Sequence, residues 1–155
     1  MLSSKLSVGI HILAALVMEP DEALTSGFIA SSVNTNPVVI RRLMGLLREA
    51  GFVDSKKGVG GGWVLKLDPA RITFLDVLRA LEPHDEVFAL HRGQINPLCP
   101  LSCNIQGALS EVYADAYEAM AAQLAQSTLA GFVATLQARI KATPPKLAST
   151  TIQKA

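Results

Sequence analysis

The chain has 155 residues, half of them apolar but only 5% aromatic, and a formal net charge of +1. That length buries a core without disulfides or a structural metal, and an aliphatic, aromatic-poor interior favours packed helices. The apolar run over residues 8–18 stops at Glu19-Pro20-Asp21-Glu22, too short to span a bilayer and with no small-residue cleavage site behind it. Neither a membrane partner nor a signal peptide is expected, and the cytoplasm is the default compartment.

Leu6, Ile10, Leu13 and Val17 recur at helical spacing and predict a scaffold helix over residues 4–18, with His11 expected as a hydrogen-bonded core residue. Thr25 caps a short second helix through Phe28, Ile29 and Ala30 to about Val33, after which Asn34-Thr35-Asn36-Pro37 spells a tight turn. Asn36 is then the N-cap of a third helix and Pro37 its first residue, where the missing N–H has no intrahelical partner to lose. Val39, Leu43, Leu46, Leu47 and Ala50 form the expected apolar stripe of that helix. Arg41, Arg42, Arg48 and Glu49 lie outside it, and Gly51 stops it.

Two short strands, 52–55 and 63–67, flank the glycine-rich tip Lys56-Lys57-Gly58-Val59-Gly60-Gly61-Gly62. Thr73 and Asp76 have capping-box spacing ahead of Phe74, Val77, Leu78 and Leu81, so a fourth helix returns to the core and ends before Pro83. Three prolines, Gly93, both cysteines and a strand-like patch over 87–90 mark residues 83–104 as a connecting loop. A long helix follows from Ile105 to about Gln126, with Ile105, Leu109, Val112, Ala116 and Ala119 near seven-residue periodicity. A last helix carries Leu129, Phe132, Val133, Leu136 and Ile140, and a loose tail begins at Ala142.

The expected fold is mainly α with a small β-hairpin wing: a winged helix-turn-helix over 1–82, a cysteine-containing connector loop over 83–104, a long helix and a last one over 105–141, and a flexible tail over 142–155.

The small net charge conceals segregation. Residues 36–67 carry six cations against two acids, a net +4, whereas residues 73–120 carry two cations against seven acids, a net −5. A second helix of this motif enters the major groove with its N-terminal residues at the base edges, which makes Asn36, Pro37, Val38, Arg41 and Arg42 candidate DNA contacts. An arginine can read guanine or hold a phosphate, and which does which is open. In the wing, Gly58, Gly60 and Gly61 let the backbone turn and approach a phosphate, while Lys56 and Lys57 neutralise phosphates or probe the minor groove. Trp63 is expected to cover the wing base. A plain solvated helix and hairpin would read as a winged helix used only for protein interaction.

The stretch Asn34 to Arg42, the segment Lys57 to Trp63 and the Cys99 loop ahead of a long helix together resemble the Rrf-two family of bacterial regulators. The resemblance covers about residues 2–140, and Asn96-Pro97-Leu98-Cys99-Pro100 followed by Asn104-Ile105-Gln106 is similar to its YwnA-like branch. It implies a dimeric repressor on a near-palindromic operator in double-stranded DNA, with 1–82 as DNA-binding domain, 83–104 as sensor or connector loop and 105–141 as dimerisation helices. The winged helix-turn-helix would then be followed by a long dimerisation helix, which forms the homodimer interface through Ile105, Leu109, Val112, Ala116 and Ala119. Cluster-binding members typically offer three cysteines in this loop, and this chain offers two; their acidic ligand in the first helix is replaced near Ser7. No iron-sulfur cofactor and no metal site are therefore expected, since a cluster needs about four ligands and would have to recruit a residue such as His84 or His91. Three readings stay open: an oxidant acting on Cys99 and Cys103, unreactive buried thiols with a small molecule between the loop and the long helix, or no effector at all. No catalytic residues are expected. A thiol oxidoreductase is the remaining enzyme reading, and the chain lacks Cys-x-x-Cys spacing, a βαβ pattern and a phosphate loop leading into a helix.

Overall fold

The computed structural model describes residues 4–82, 88, 90, 91 and 93–142. Helix α1 (Lys5–Met18) is apolar along one side, and Ile10, Ile12, Leu13, Ala14 and Leu16 are buried at the centre of the core. Gly9 sits where α1 crosses α4 (Phe74–Leu81); a Cβ there would run into Leu81 Cδ1 and reach Val77 Cγ1 at 3.4 Å. The two helices approach closely because the side chain is missing. His11 is exposed rather than in the core, because its face of α1 looks outward; its Nε2 shares a 3.0 Å hydrogen bond with Ser32 Oγ.

Helix α2 (Ser26–Val33) begins where Thr25 Oγ1 accepts from the Phe28 N–H at 3.1 Å, and ends at Asn34 in a left-handed conformation, φ 59°. Asparagine tolerates that region better than other side chains with a Cβ, so three residues suffice to turn the chain into α3 (Pro37–Glu49). Asn36 Oδ1 caps α3 by accepting from the Val38 N–H at 2.8 Å, and Gly51, at φ 81°, follows its last turn. The buried stripe of α3 is Ile40, Leu43, Met44 and Leu47; Val39 and Ala50 are exposed and Leu46 is half-buried. This corrects the expected stripe by a partial rotation. Val38, Val39 and Ile40 are consecutive β-branched residues, and the one that aligns with Met44 and Leu47 toward α1 takes the interior.

Strands β1 (Val53–Lys56) and β2 (Gly62–Leu65) pair antiparallel, with Val53 opposite Leu65 and Lys56 opposite Gly62. Both lie within about a residue or two of the expected spans. Leu24 adds a bridge to β2, its N–H donating to the Trp63 carbonyl at 3.0 Å and its carbonyl accepting from the Trp63 N–H at 2.8 Å. A 3-10 turn, Pro69–Arg71, leads to α4, which opens with the expected capping box: the Asp76 N–H donates to Thr73 Oγ1 at 3.1 Å and the Thr73 N–H to Asp76 Oδ2 at 2.9 Å.

Helix α5 (Pro100–Ala125) starts five residues ahead of the expected Ile105, because Pro100 suits a first helical turn, so Cys103 is helical and Cys99 is the N-cap. Only its far half touches the body, where Tyr117, Met120, Ala121 and Leu124 pack on Leu75 and Leu78 of α4. Helix α6 (Leu129–Ala142) then folds back onto the winged helix. Its Leu129 N–H donates to the Ile72 carbonyl at 2.8 Å, the Phe74 N–H donates to the Ser127 carbonyl at 2.9 Å, and Leu129 and Val133 lie in the same core as Ile10 and Ile40. Phe74 and Phe132 meet edge to face, 5.3 Å between centroids. Val87 and Ala89 of the strand-like patch, and the tail after Ala142, lie outside the described residues; Ala142 itself ends α6. No helix among the described residues is long and apolar enough to cross a membrane.

Three substitutions probe this packing. Leu129→Ala empties a fully buried position and should lower unfolding free energy by about 2–5 kcal/mol in urea titration, whereas Ile140→Ala on the outer face should stay within about 0.5 kcal/mol. Gly9→Leu should prise α1 from α4 and destabilise by at least about 1–3 kcal/mol on the same assay.

Candidate nucleic-acid interface

With Ile40, Leu43, Met44 and Leu47 turned inward, α3 has to present its other face to solvent. Val38, Arg41 and Arg42 are all exposed, Val38 at 59%, and Pro37 is half-buried in the first turn. Asn36 is exposed too, but its Oδ1 is committed to the cap, which leaves its amide N–H2 to donate outward. The positive end of the α3 backbone dipole adds to these cations at the same place.

The wing supplies the second set. Lys56, Lys57, Gly58, Val59 and Gly60 are all exposed. Gly58 and Gly60 have φ of 95° and 74°, a region that suits glycine, and a Cβ on Gly61 would lie 2.5 Å from the Lys56 carbonyl oxygen and 2.8 Å from that of Gly58. Glycine is therefore a requirement of this turn at three positions. The result is a narrow tip on which nothing but backbone, two lysines and Val59 projects. Val59 is as exposed as an isolated residue, and residue-by-residue reasoning passed over it: a valine between glycines reads as filler, although an apolar side chain held out in water at a loop tip is itself a signal.

Trp63 joins the two sets. Its ring lies under the Arg48 guanidinium of α3, 6.0 Å from the centroid, and its Nε1–H donates to Ser26 Oγ of α2 at 3.1 Å. With the Leu24 bridge, this ties the wing base to α2 and α3. Leu24 and Ser26 were not legible as wing anchors, because their partner is nearly forty positions away.

The cysteines lie at the N-terminal end of α5. Cys99 and Cys103 are both free, one turn apart, with the Cys103 N–H donating to the Cys99 carbonyl at 3.1 Å. Cys103 Sγ lies 3.6 Å from the Asn96 carbonyl oxygen and 3.9 Å from that of Pro97, and the Asn96 N–H donates to Ser102 Oγ at 2.9 Å. The loop is tied to α5 by a hydrogen bond from Gln106 Nε2 to the His91 carbonyl at 3.1 Å and by stacking of Phe88 on Tyr113. Of the residues expected at a subunit interface, Ile105 and Leu109 are half-buried, while Val112, Ala116 and Ala119 are exposed along α5, Val112 at 61%.

A tri-helical body, a helix-turn-helix with a basic outer face and a glycine-tipped wing together define a winged helix-turn-helix regulator. The chain belongs to the Rrf2 family, described as an iron-dependent transcriptional regulator, which it matches over residues 2–135. It is 46% identical over 129 residues to YwnA of Bacillus subtilis (strain 168), described as an HTH-type transcriptional regulator, covering 83% of this chain and 94% of that protein. Among solved structures it is similar to a protein described as DNA-binding, with 42% identity, a TM-score of 0.66 and coverage of 83% and 98%. It is also similar to CymR, the global cysteine regulator of B. subtilis, with 26% identity, a TM-score of 0.65 and coverage of 87% and 97%.

The iron in the family description can be set against this donor set. Among the described residues no three His, Cys, Asp or Glu side chains gather to hold a metal. Position 7 is a serine whose Oγ–H donates to the Ser4 carbonyl at 2.8 Å. Two thiols on one helical turn fall short of the roughly four ligands a cluster takes, so the described residues of one chain do not fit it.

The wing anchor is testable without DNA. A Cβ on Gly62 would lie 2.7 Å from the Leu24 carbonyl oxygen. Gly62→Ala should therefore break the Leu24–Trp63 bridge, lower stability by about 1–3 kcal/mol and red-shift the fluorescence of Trp63, the only tryptophan.

Proposed function

We propose that the chain is a repressor that binds double-stranded DNA as a homodimer, with α3 in the major groove and the wing beside it on the phosphate backbone and minor groove. The observation that carries this reading is the α3 face and the wing tip, both cationic, both exposed and both fastened to Trp63. Arg41 and Arg42 reach base edges or phosphates from the first turns of α3, and Val38 meets the groove floor with its methyl groups. Asn36 contributes a donor, Pro37 fixes the entry of the helix, and Lys56 and Lys57 flank a backbone whose Gly58, Gly60 and Gly61 allow close approach to phosphate. Ile105, Leu109, Val112, Ala116 and Ala119 run along α5 from its free half to beside its contact with α4, and a second copy covers this stripe. Twofold pairing then explains a near-palindromic operator.

The regulator works in the cytoplasm, without an iron-sulfur cluster and without catalysis of its own, and its two thiols form an oxidant-sensitive pair. Oxidation by a peroxide-class oxidant removes two electrons and two protons from Cys99 and Cys103, joining them to each other or to a partner subunit. Either bond alters the N-terminus of α5 and the interface that sets the half-site spacing.

The test is a binding-site selection on the purified full chain, followed by anisotropy titration at several salt concentrations. A palindromic site should be enriched and affinity should fall steeply with salt. Arg42→Ala should weaken that site by about ten- to a hundredfold, and Lys57→Ala should weaken all sequences alike and reduce the log–log salt slope by about 1, with the melting temperature unchanged in both. Salt-independent or absent binding would replace this reading with a protein-interaction module. Mild oxidation with diamide should release the site from the wild type and not from Cys99→Ser; equal release from both rules the thiol pair out.

A further inference from the structure

Between α1, α3 and α4 lies a half-enclosed cavity of about 460 Å³, in the size range of small-molecule sites. Its walls are Val8, Val39, Leu43, Leu46, Ala80 and Leu81, and its rim carries Arg42 from α3 and Arg79 from α4, with Lys5 beside them. Lys5 pairs with Glu82 Oε2 at 3.1 Å, and Glu82, 7% exposed, is the carboxylate at this end of α4. Neither Arg42 nor Arg79 makes an ion pair among the described residues. Two guanidinium groups at the mouth of an apolar hollow repel each other and gain from an anion set between them, while the hollow gains from an apolar body. The two demands meet in one ligand chemistry.

We propose that this cavity binds a small amphiphilic carboxylate, its carboxylate held by Arg42 and Arg79 and its aliphatic body on Val8, Val39, Leu46 and Ala80. Occupancy holds Arg42 away from DNA, so the ligand releases the operator. This last step rests on the DNA role given to Arg42 above; the site does not. The effector position differs from the one between the cysteine loop and the long helix that the sequence suggested, because Val39 is exposed and Leu46 only half-buried, and both line this hollow.

The experiment is calorimetric titration of the full chain with sodium octanoate, and separately with 1-octanol as a neutral probe of the same body. Octanoate should saturate at one equivalent per chain, and octanol should bind at least about tenfold more weakly. Arg79→Ala, exposed and outside the DNA set, should weaken octanoate by about tenfold with an unchanged melting temperature, and Val39→Trp in the cavity wall should block it. Octanoate should displace operator DNA from the wild type and not from Arg79→Ala. Equal affinity for both probes, or octanoate binding untouched by either variant, overturns the site. A fall in hydrodynamic mass on adding octanoate overturns it too, since the side chains of a second copy would then fill the hollow. Binding as predicted by a chain with no DNA affinity would leave the site standing and remove the DNA reading. Salt-dependent DNA binding with a flat octanoate titration would do the reverse.

Discussion

Burial of Ile40, Leu43, Met44 and Leu47 is the constraint from which the working surface follows. Four side chains on one helix face fix the rotation of α3 about its own axis, and that rotation alone decides that Arg41 and Arg42 meet solvent. Loss of any of the four would cost about 2–5 kcal/mol, far more than exposed arginines contribute by their own contacts, so the core dictates where the charges go. The same logic holds the wing: Trp63 is pinned from three sides, by Leu24, Ser26 and Arg48, and the glycine tip extends from a base that does not drift.

Local chemistry was legible in the sequence wherever it was local. The Asn36 cap, Pro37 at the first helical position, the Thr73–Asp76 box and the left-handed glycines after Lys57 all announce themselves within four residues, and each has the geometry its spacing implies. The α3 stripe was misread because Val38, Val39 and Ile40 offer three candidate interior positions, and only the packing of α1 and α4 chooses among them. His11 was misplaced for a related reason: an apolar helix has an outer face, and periodicity alone does not label it. The start of α5 slipped because cysteine and proline read as loop when Pro100 was opening a helix.

The more instructive shortfall concerns α6. Its apolar residues suggested a role beside α5 at a subunit contact, yet Leu129 and Val133 complete the interior that α1 begins, and backbone hydrogen bonds from Leu129 to Ile72 and from Phe74 to Ser127 stitch it to α4. No pattern within a short window reports such a return. The long α5 between these elements meets the body only where its C-terminal half packs on Leu75 and Leu78, and it holds the two thiols at its opposite, N-terminal end.

That return has a consequence for how the chain is made. Helix α1 is sealed by α6, which is made long after it, so the interior stays open on the Ile10 and Ile72 side until Leu129 and Val133 have been synthesised. Contacts so far apart in sequence slow the final closure, and during that interval the apolar side of α1 is available to wrong partners. A fragment ending near Leu81 would contain every residue of the basic face and still lack its lid. The basic face is contiguous in the sequence, but the core that supports it is not.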